Sequence, residues 1–130
     1  MHRDKIKLKI ITPEKIIENA DYDAVILPGE TGDFELLANH ENFISTLRAG
    51  AIYASTKDHI AASFVVSKSF MRFSHAQNVC EVAAEYAMSM VEIKQLGADE
   101  ITRRMKEASS ESKKQFYQCA IVMMLQKDLK

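Results

Sequence analysis

The sequence predicts a mainly β protein with a helical tail. An N-terminal antiparallel β-sandwich of about ten strands occupies residues 1–87, and a C-terminal two-helix hairpin occupies residues 88–130. Three observations predict this. Up to residue 87, apolar and polar residues alternate in short runs, with turn residues every few positions; a period of two marks a strand with one buried face. Beyond residue 87, Ile93, Leu96, Ile101, Met105 and Ala108 recur at helical spacing. The charge changes at the same place: residues 1–87 carry 9 bases and 12 acids, net −3, whereas residues 88–130 carry 8 bases and 6 acids, net +2.

The first strand is the clearest. In Lys5-Ile6-Lys7-Leu8-Lys9-Ile10 the aliphatic residues face a core and the lysines face water. Lysines along an exposed strand also oppose edge-to-edge pairing. Thr12-Pro13 ends it. Residues 15–17 read as a short second strand, Asn19-Ala20-Asp21 as a turn, and residues 22–27 as a central third strand, apolar on both faces. Pro28-Gly29-Glu30-Thr31-Gly32 is a hairpin turn in which glycine gives access to positive φ. Phe34 and Leu36 then alternate with Asp33 and Glu35 and lead into the polar loop Asn39-His40-Glu41-Asn42. Residues 43–47, 51–54, 60–66, 70–73 and 79–84 complete the series, separated by Arg48-Ala49-Gly50, residues 55–59, Lys68-Ser69 and His75-Ala76-Gln77-Asn78.

In the tail, Ser109-Ser110-Glu111-Ser112 interrupts the first helix and caps a second one that runs to about residue 129. Phe116, Ala120, Met123 and Met124 form its inner side. Gly97 costs about 1 kcal/mol against alanine in a helix interior, so it predicts a late helix start with Asp99 as cap. Two helices this short are not stable alone. Their docking on the sandwich is expected to be weak and reversible.

Bulk properties exclude several classes of function. With 130 residues and 47% hydrophobic content the chain can bury one real core. A net charge of −1 carries no general nucleic-acid or membrane-surface signal. The longest apolar run, residues 119–125, is far short of a membrane span, and no N-terminal signal pattern is present. Cys80 and Cys119 fall in different parts and suit a reduced protein with structural thiols. His2, His40, His59 and His75 are scattered and have no ligand spacing, so no metal or cofactor is implied. No nucleophile accompanies Asp33 and His40, and Gly29-x-x-Gly32 is a turn rather than a phosphate cradle, so no catalytic residue is assigned. Eight acids against Lys15 alone lie between Glu14 and Glu41, which reads either as a solvated face or as a docking surface for a basic partner.

Ile11-Thr12-Pro13-Glu14-Lys15, Pro28-Gly29-Glu30-x-Gly32-Asp33-Phe34, Leu37-x-x-His40 and Leu47-x-x-Gly50, in that order, resemble the epsilon subunit of F-type ATP synthases. The resemblance covers about residues 6–87 closely and the hairpin in kind. It implies a non-catalytic rotor component on the cytoplasmic face of the bacterial inner membrane, peripheral to it. This component binds the gamma subunit and the polar loops of the c-ring, and its helices reach toward the alpha and beta subunits. It couples proton flow to ATP synthesis and restrains ATP hydrolysis. By position, Asp33 and His40 correspond to the c-ring contact, with Glu30 as a third contact. The chain departs from the family at three places. Ala38-Asn39-His40-Glu41-Asn42 replaces Pro-Gly-His-Ala-Pro, which predicts a looser loop in which Asn39 takes the glycine conformation. Ser67-Lys68-Ser69 replaces Ser-Gly-Gly. The ATP-binding frame Ile/Leu-Asp-x-x-Arg-Ala reads Ile93-Lys94-Gln95-Leu96-Gly97-Ala98, so the acid has become Lys94 and the guanidinium Gly97. Losing that bidentate partner predicts that ATP is not bound by this route. The alternative reading is a free β-sandwich protein-binding module with a regulatory helical pair.

Overall fold

The computed structural model describes residues 4–126. Ten strands come first: β1 (Ile6–Ile11), β2 (Ile16–Tyr22), β3 (Ala24–Gly29), β4 (Gly32–Leu37), β5 (Phe43–Leu47), β6 (Gly50–Thr56), β7 (His59–Val66), β8 (Ser69–Ser74), β9 (Val79–Ala84) and β10 (Ala87–Ser89). Two helices follow, α1 (Met90–Glu107) and α2 (Glu111–Leu125). Hydrogen bonding runs β10-β7-β6-β3-β5-β8-β9-β1-β2, and β4 pairs with β3. This single ladder folds over on itself into a sandwich. Eight of its nine pairings are antiparallel, as expected, but β1 lies parallel to β9, with Lys7 opposite Val79 and Ile11 opposite Ala83. Alternation specifies which face a residue occupies and not the direction of its neighbouring strand, so the parallel pair was not legible.

Ile6, Leu8 and Ile10 are fully buried, as the alternation of β1 predicts. They join Leu27, Leu47 and Phe73 in the sandwich core. The expected turn at Asn19-Ala20-Asp21 is instead the second half of β2. Asn19 and Asp21 sit opposite Lys9 and Lys7, so an edge strand there keeps its polar side chains against exposed lysines. The reversal falls at Asp23, whose carboxylate accepts from Lys5 at 2.5 Å and from the Lys57 backbone at 2.7 Å. β3 is central, as predicted, bonded to β4, β5 and β6.

The hairpin has its own core of Val65, Met88, Ile93, Ile101, Phe116 and Ala120. Val65 belongs to β7, so this cluster is also the joint with the sandwich. β10 straddles residue 87 and pairs with β7, carrying sheet structure into the start of α1. α1 begins at Met90 rather than late, because Ser89 caps it by accepting from the Glu92 backbone. The disruption expected at Gly97 is present as a kink, with φ 83° and ψ 162° inside the helix. Ser110 caps α2 by accepting from Lys113, as the serine cluster predicts. Phe116, Ala120 and Met123 are buried and Met124 half-buried. The expected extension of α2 to residue 129 and the position of His2 lie outside the described residues.

Candidate functional site

The stretch from Pro28 to Gly50 builds a polar corner where β3 passes from pairing with β6 to pairing with β5. Its hairpin needs both glycines. Gly32 takes φ 147°, and a Cβ on Gly29 would lie 2.6 Å from the Gly32 carbonyl oxygen and 2.9 Å from the Phe34 ring. No L side chain fits that approach. The tight turn delivers Glu30 and Asp33 to one corner, and a residue not singled out from the sequence organises it. Arg48 donates to the Asp33 carboxylate and to the Gly29 carbonyl, each at 2.5 Å, and its backbone N–H donates to Pro28 at 2.9 Å. Glu30 accepts from the Thr46 hydroxyl at 2.5 Å. The only sequence signal for Arg48 was a base beside Gly50 in a predicted turn. The Asp33 side chain remains about half exposed, at 54%, so a partner cation can reach it.

Asp33 also acts on the sheet. Ile26 pairs with both Tyr53 and Glu35, which places Tyr53 and the outer side of β4 on one face. Burial raises the Tyr53 phenol above its ordinary value, and the Asp33 charge adds to the rise. The Tyr53 hydroxyl meets Met123 Sδ of α2 at 3.5 Å. The corner therefore borders the seam between sandwich and hairpin.

His40 does not join this corner. Its ring packs edge-on against Phe43 and Phe73, with centroids 5.8 and 5.9 Å away, and Phe43 in turn meets Phe34 at 5.6 Å. Asp33 and His40 are thus joined through two phenylalanine rings and do not touch. Asn39 takes φ 71°, the conformation expected of it in place of glycine. The missing prolines are offset by a clasp onto the β8–β9 turn. Asn39 N–H donates to Asn78 Oδ1 at 2.9 Å, and Asn78 Nδ2 donates back to Asn39 Oδ1 at 3.2 Å. His75 N–H donates to Asn42 Oδ1 at 2.8 Å, and His75 Nδ1 lies 2.9 Å from the His40 carbonyl. Asn78 is buried, although its type and its place in a predicted polar loop give no sign of a structural role.

The acidic run does not form one face. Asp21 and Asp23 pair with Lys7 and Lys5, Glu18 bonds the Tyr22 hydroxyl, and Asp33 pairs with Arg48. Hydrogen bonding to Lys5 is the main cause that holds the Asp23 carboxyl below its usual range. Beside its charged groups, the outer face of β5 and β8 presents two exposed apolar side chains. Ile44 is 75% exposed on β5 and Phe70 64% exposed on β8. Phe70 pairs with Thr46, the residue that holds Glu30, so the apolar strip runs into the polar corner. Ile44 lies opposite Arg72 and Phe70 opposite Thr46, so the two exposed apolar side chains are diagonal neighbours on one pleated face.

At Ile93–Ala98, Ile93 is buried, Lys94 exposed and Gly97 non-helical. Ser67-Lys68-Ser69 needs no glycine: none of the three takes a positive φ. Among the described residues no cluster of three or more His, Cys, Asp or Glu side chains is arranged to hold a metal. No helix among them is long and apolar enough to cross a membrane.

A family model described as "ATP synthase, Delta/Epsilon chain, beta-sandwich domain" matches residues 5–90. Among curated proteins, the ATP synthase epsilon chain of Nitratiruptor sp. is 30% identical over 105 residues, covering 81% of this chain and 78% of that one. That of Paramagnetospirillum magneticum is 29% identical over 85% of this chain and 81% of that one. That of Campylobacter concisus is 49% identical over a shorter stretch, 38% of each chain, so the match spans about two fifths of that relative. Among solved structures, a chain of the Euglena gracilis mitochondrial ATP synthase (OSCP/F1/c-ring) superimposes with a TM-score of 0.64 over 94% of this chain and 82% of that one. A chain of the Tetrahymena thermophila mitochondrial ATP synthase central stalk/c-ring superimposes with a TM-score of 0.57 over all of both chains. At 14% identity these two likenesses establish the fold alone.

Proposed function

The chain belongs to the ATP synthase delta/epsilon family, and from that premise we propose that it is the non-catalytic epsilon subunit of a proton-translocating F-type ATP synthase. It rides on the central stalk, binds the gamma subunit and the polar loops of the c-ring, and lies peripheral to the bacterial inner membrane on its cytoplasmic side. Rotor coupling is its contribution; ATP chemistry belongs to the assembled complex. The observation that carries this reading is the strip of Ile44 and Phe70, exposed on an otherwise charged sheet face and continuous with the Glu30–Asp33–Arg48 corner. The strip suits a long apolar partner such as gamma. The half-exposed Asp33, with Glu30 beside it, suits a basic loop of the ring. Restraint of hydrolysis would fall to the hairpin, which is held to the sandwich by a small cluster around Val65 and Tyr53.

Co-expression with gamma from the same genome tests the assignment. The wild-type chain is expected to co-purify with gamma, and the double variant Ile44→Glu/Phe70→Glu to lose it while melting within a few degrees of wild type, because both side chains are exposed. If the wild type does not co-purify, the free binding-module reading replaces this one. If the double variant co-purifies undiminished, gamma binds elsewhere.

A further inference from the structure

Arg48 does more at the polar corner than the β3–β4 hairpin needs for folding. That hairpin pairs at six positions, from Ala24–Leu37 to Gly29–Gly32, and its glycines close the turn. Arg48 adds a strap across the turn from the end of β5. Its Nη1 donates to the Gly29 carbonyl at the end of β3, and its Nη2 to Asp33 Oδ1 at the start of β4, each at 2.5 Å. Its own backbone is pinned. The Arg48 N–H donates to the Pro28 carbonyl at 2.9 Å, and Leu47 before it is fully buried and paired with Gly29. The Arg48 and Asp33 side chains are 47% and 54% exposed, and ion pairs at such exposure contribute little to stability. What the fork supplies is orientation. A guanidinium carries its donors in one rigid plane, so satisfying a backbone carbonyl with one nitrogen fixes where the other holds the carboxylate. On the other side of Leu47, Thr46 holds Glu30 through Oε1. Both acids at the tip of the hairpin are thus oriented by one strand end.

We propose that Arg48 is a positioning residue for the ring contact: it fixes the Asp33 carboxylate in one rotamer before a partner cation arrives. This rests on the reading of Asp33 as a contact with a basic loop of the c-ring. A free aspartate has to be ordered at the moment of binding, and a carboxylate already ordered escapes that cost. The charge of Arg48 acts the other way, since it offsets part of the field that draws a cation. Arg48→Lys separates the two effects. Lysine keeps the charge, but a compact ammonium on a flexible stem does not reproduce the two fixed directions of the fork. The contact therefore loses orientation while the field stays the same.

Two measurements on the full chain test this. In the free chain, three-bond couplings of the Asp33 side chain report its χ1. Wild type is expected to show one rotamer, and Arg48→Lys an average over several. In complex with gamma, the chain is titrated onto the detergent-solubilised c-ring of the same genome. Arg48→Lys is expected to weaken ring binding roughly 2- to 10-fold and to have no further effect in an Asp33→Asn background. An averaged Asp33 rotamer in wild type, or a single one in Arg48→Lys, overturns the proposal. So does an averaged rotamer in Arg48→Lys with unchanged or tighter ring binding. The same loss of binding in the Asp33→Asn background also overturns it, because Arg48 then acts by supporting the fold of the corner and not through Asp33. If Asp33→Asn by itself leaves ring binding unchanged, the ring-contact reading is wrong, and the proposal falls with it whatever the rotamer shows.

Discussion

Ser67 and Ser69 stand two residues apart where the family has a serine and a glycine, and alanine substitutions there are expected to act in opposite directions. Ser67 is fully buried. Its backbone N–H donates to the Tyr86 carbonyl at 2.9 Å, and its hydroxyl accepts from the Tyr86 N–H at 3.1 Å. Ser69 is 3% exposed, and its hydroxyl has no hydrogen-bond partner. A buried hydroxyl without a partner costs about 1–3 kcal/mol, whereas a satisfied one contributes about 1 kcal/mol net. Taking the low end of the first range, Ser69→Ala stabilises by about 1 kcal/mol. Ser67→Ala destabilises by at least about 1 kcal/mol, because it strands the Tyr86 N–H. For a chain of this length 1 kcal/mol moves the melting temperature by about 4 °C, so the two variants should separate by about 8 °C. Far-ultraviolet circular dichroism melts of the full chain measure this. A Ser69→Ala variant that melts below wild type would refute the reasoning, as would two variants shifting the same way. A second effect follows from where Tyr86 sits. Its ring meets Phe116 at 5.9 Å, and Lys113 Nζ stands 5.6 Å from its centroid. Ser67→Ala should therefore loosen α2 as well, seen as faster amide exchange over residues 111–125.

Asn78→Ala removes both hydrogen bonds to Asn39; a loss of about 2 kcal/mol and faster exchange over residues 39–42 are expected, and unchanged exchange would mean the clasp does not hold the His40 loop. Asp33→Lys combined with His40→Ala removes the Arg48 ion pair and the ring contacts with Phe43 and Phe73, so it should lower the stability by about 1–2 kcal/mol and weaken proton pumping in the assembled synthase, and normal pumping would remove both residues from the ring contact. Calorimetry with millimolar Mg-ATP should give no saturable heat, since Lys94 and Gly97 stand where an acid and an arginine would be needed; clear binding would show that another set of residues supplies the site. Hydrogen bonds from Arg103, then Arg104, hold the Glu100 carboxyl down at about 2, from an ordinary 4.5. A carboxyl depressed in the folded state stabilises above its unfolded value and loses that contribution as pH falls through its folded value. Circular dichroism should thus show α1 loosening between about pH 4.5 and 2, and Glu100→Gln should abolish that step.

Much of the sandwich was legible because burial follows alternation. Ile6, Leu8 and Ile10 point inward and their lysine neighbours outward, as a period of two requires. Asn19-Ala20-Asp21 misled because turn-forming residues are also tolerated on an edge strand, where Lys7 and Lys9 of the next strand face them. The partner of β1 was not legible at all, since nothing in Lys5–Ile10 names a strand seventy residues away. At the corner, resemblance pointed to Glu30 and Asp33, but Arg48 is visible only once β3 and β5 meet. The resemblance pairs His40 with Asp33 as one contact, but the sequence does not fix whether they share a surface, and β4 and two phenylalanine rings hold them apart. Gly97 was read as a helix fault, and the fault is present; that it bends a helix already begun at Met90 depends on how Ser89 and β10 are placed.

The parallel pairing of β1 with β9 bears on how the chain is made. Residues 7–11 are synthesised well before their partners at residues 79–83, which form nearly the last strand of the sandwich to be made. Loop-closure entropy must be overcome before that pairing can form, which slows this step of folding. Until then β1 leaves the growing polypeptide with one edge unpaired, and its two lysines, Lys7 and Lys9, give that edge a repulsive charge against intermolecular association. The hairpin follows immediately in the chain, so the surface it docks on is completed only as its own helices are being translated.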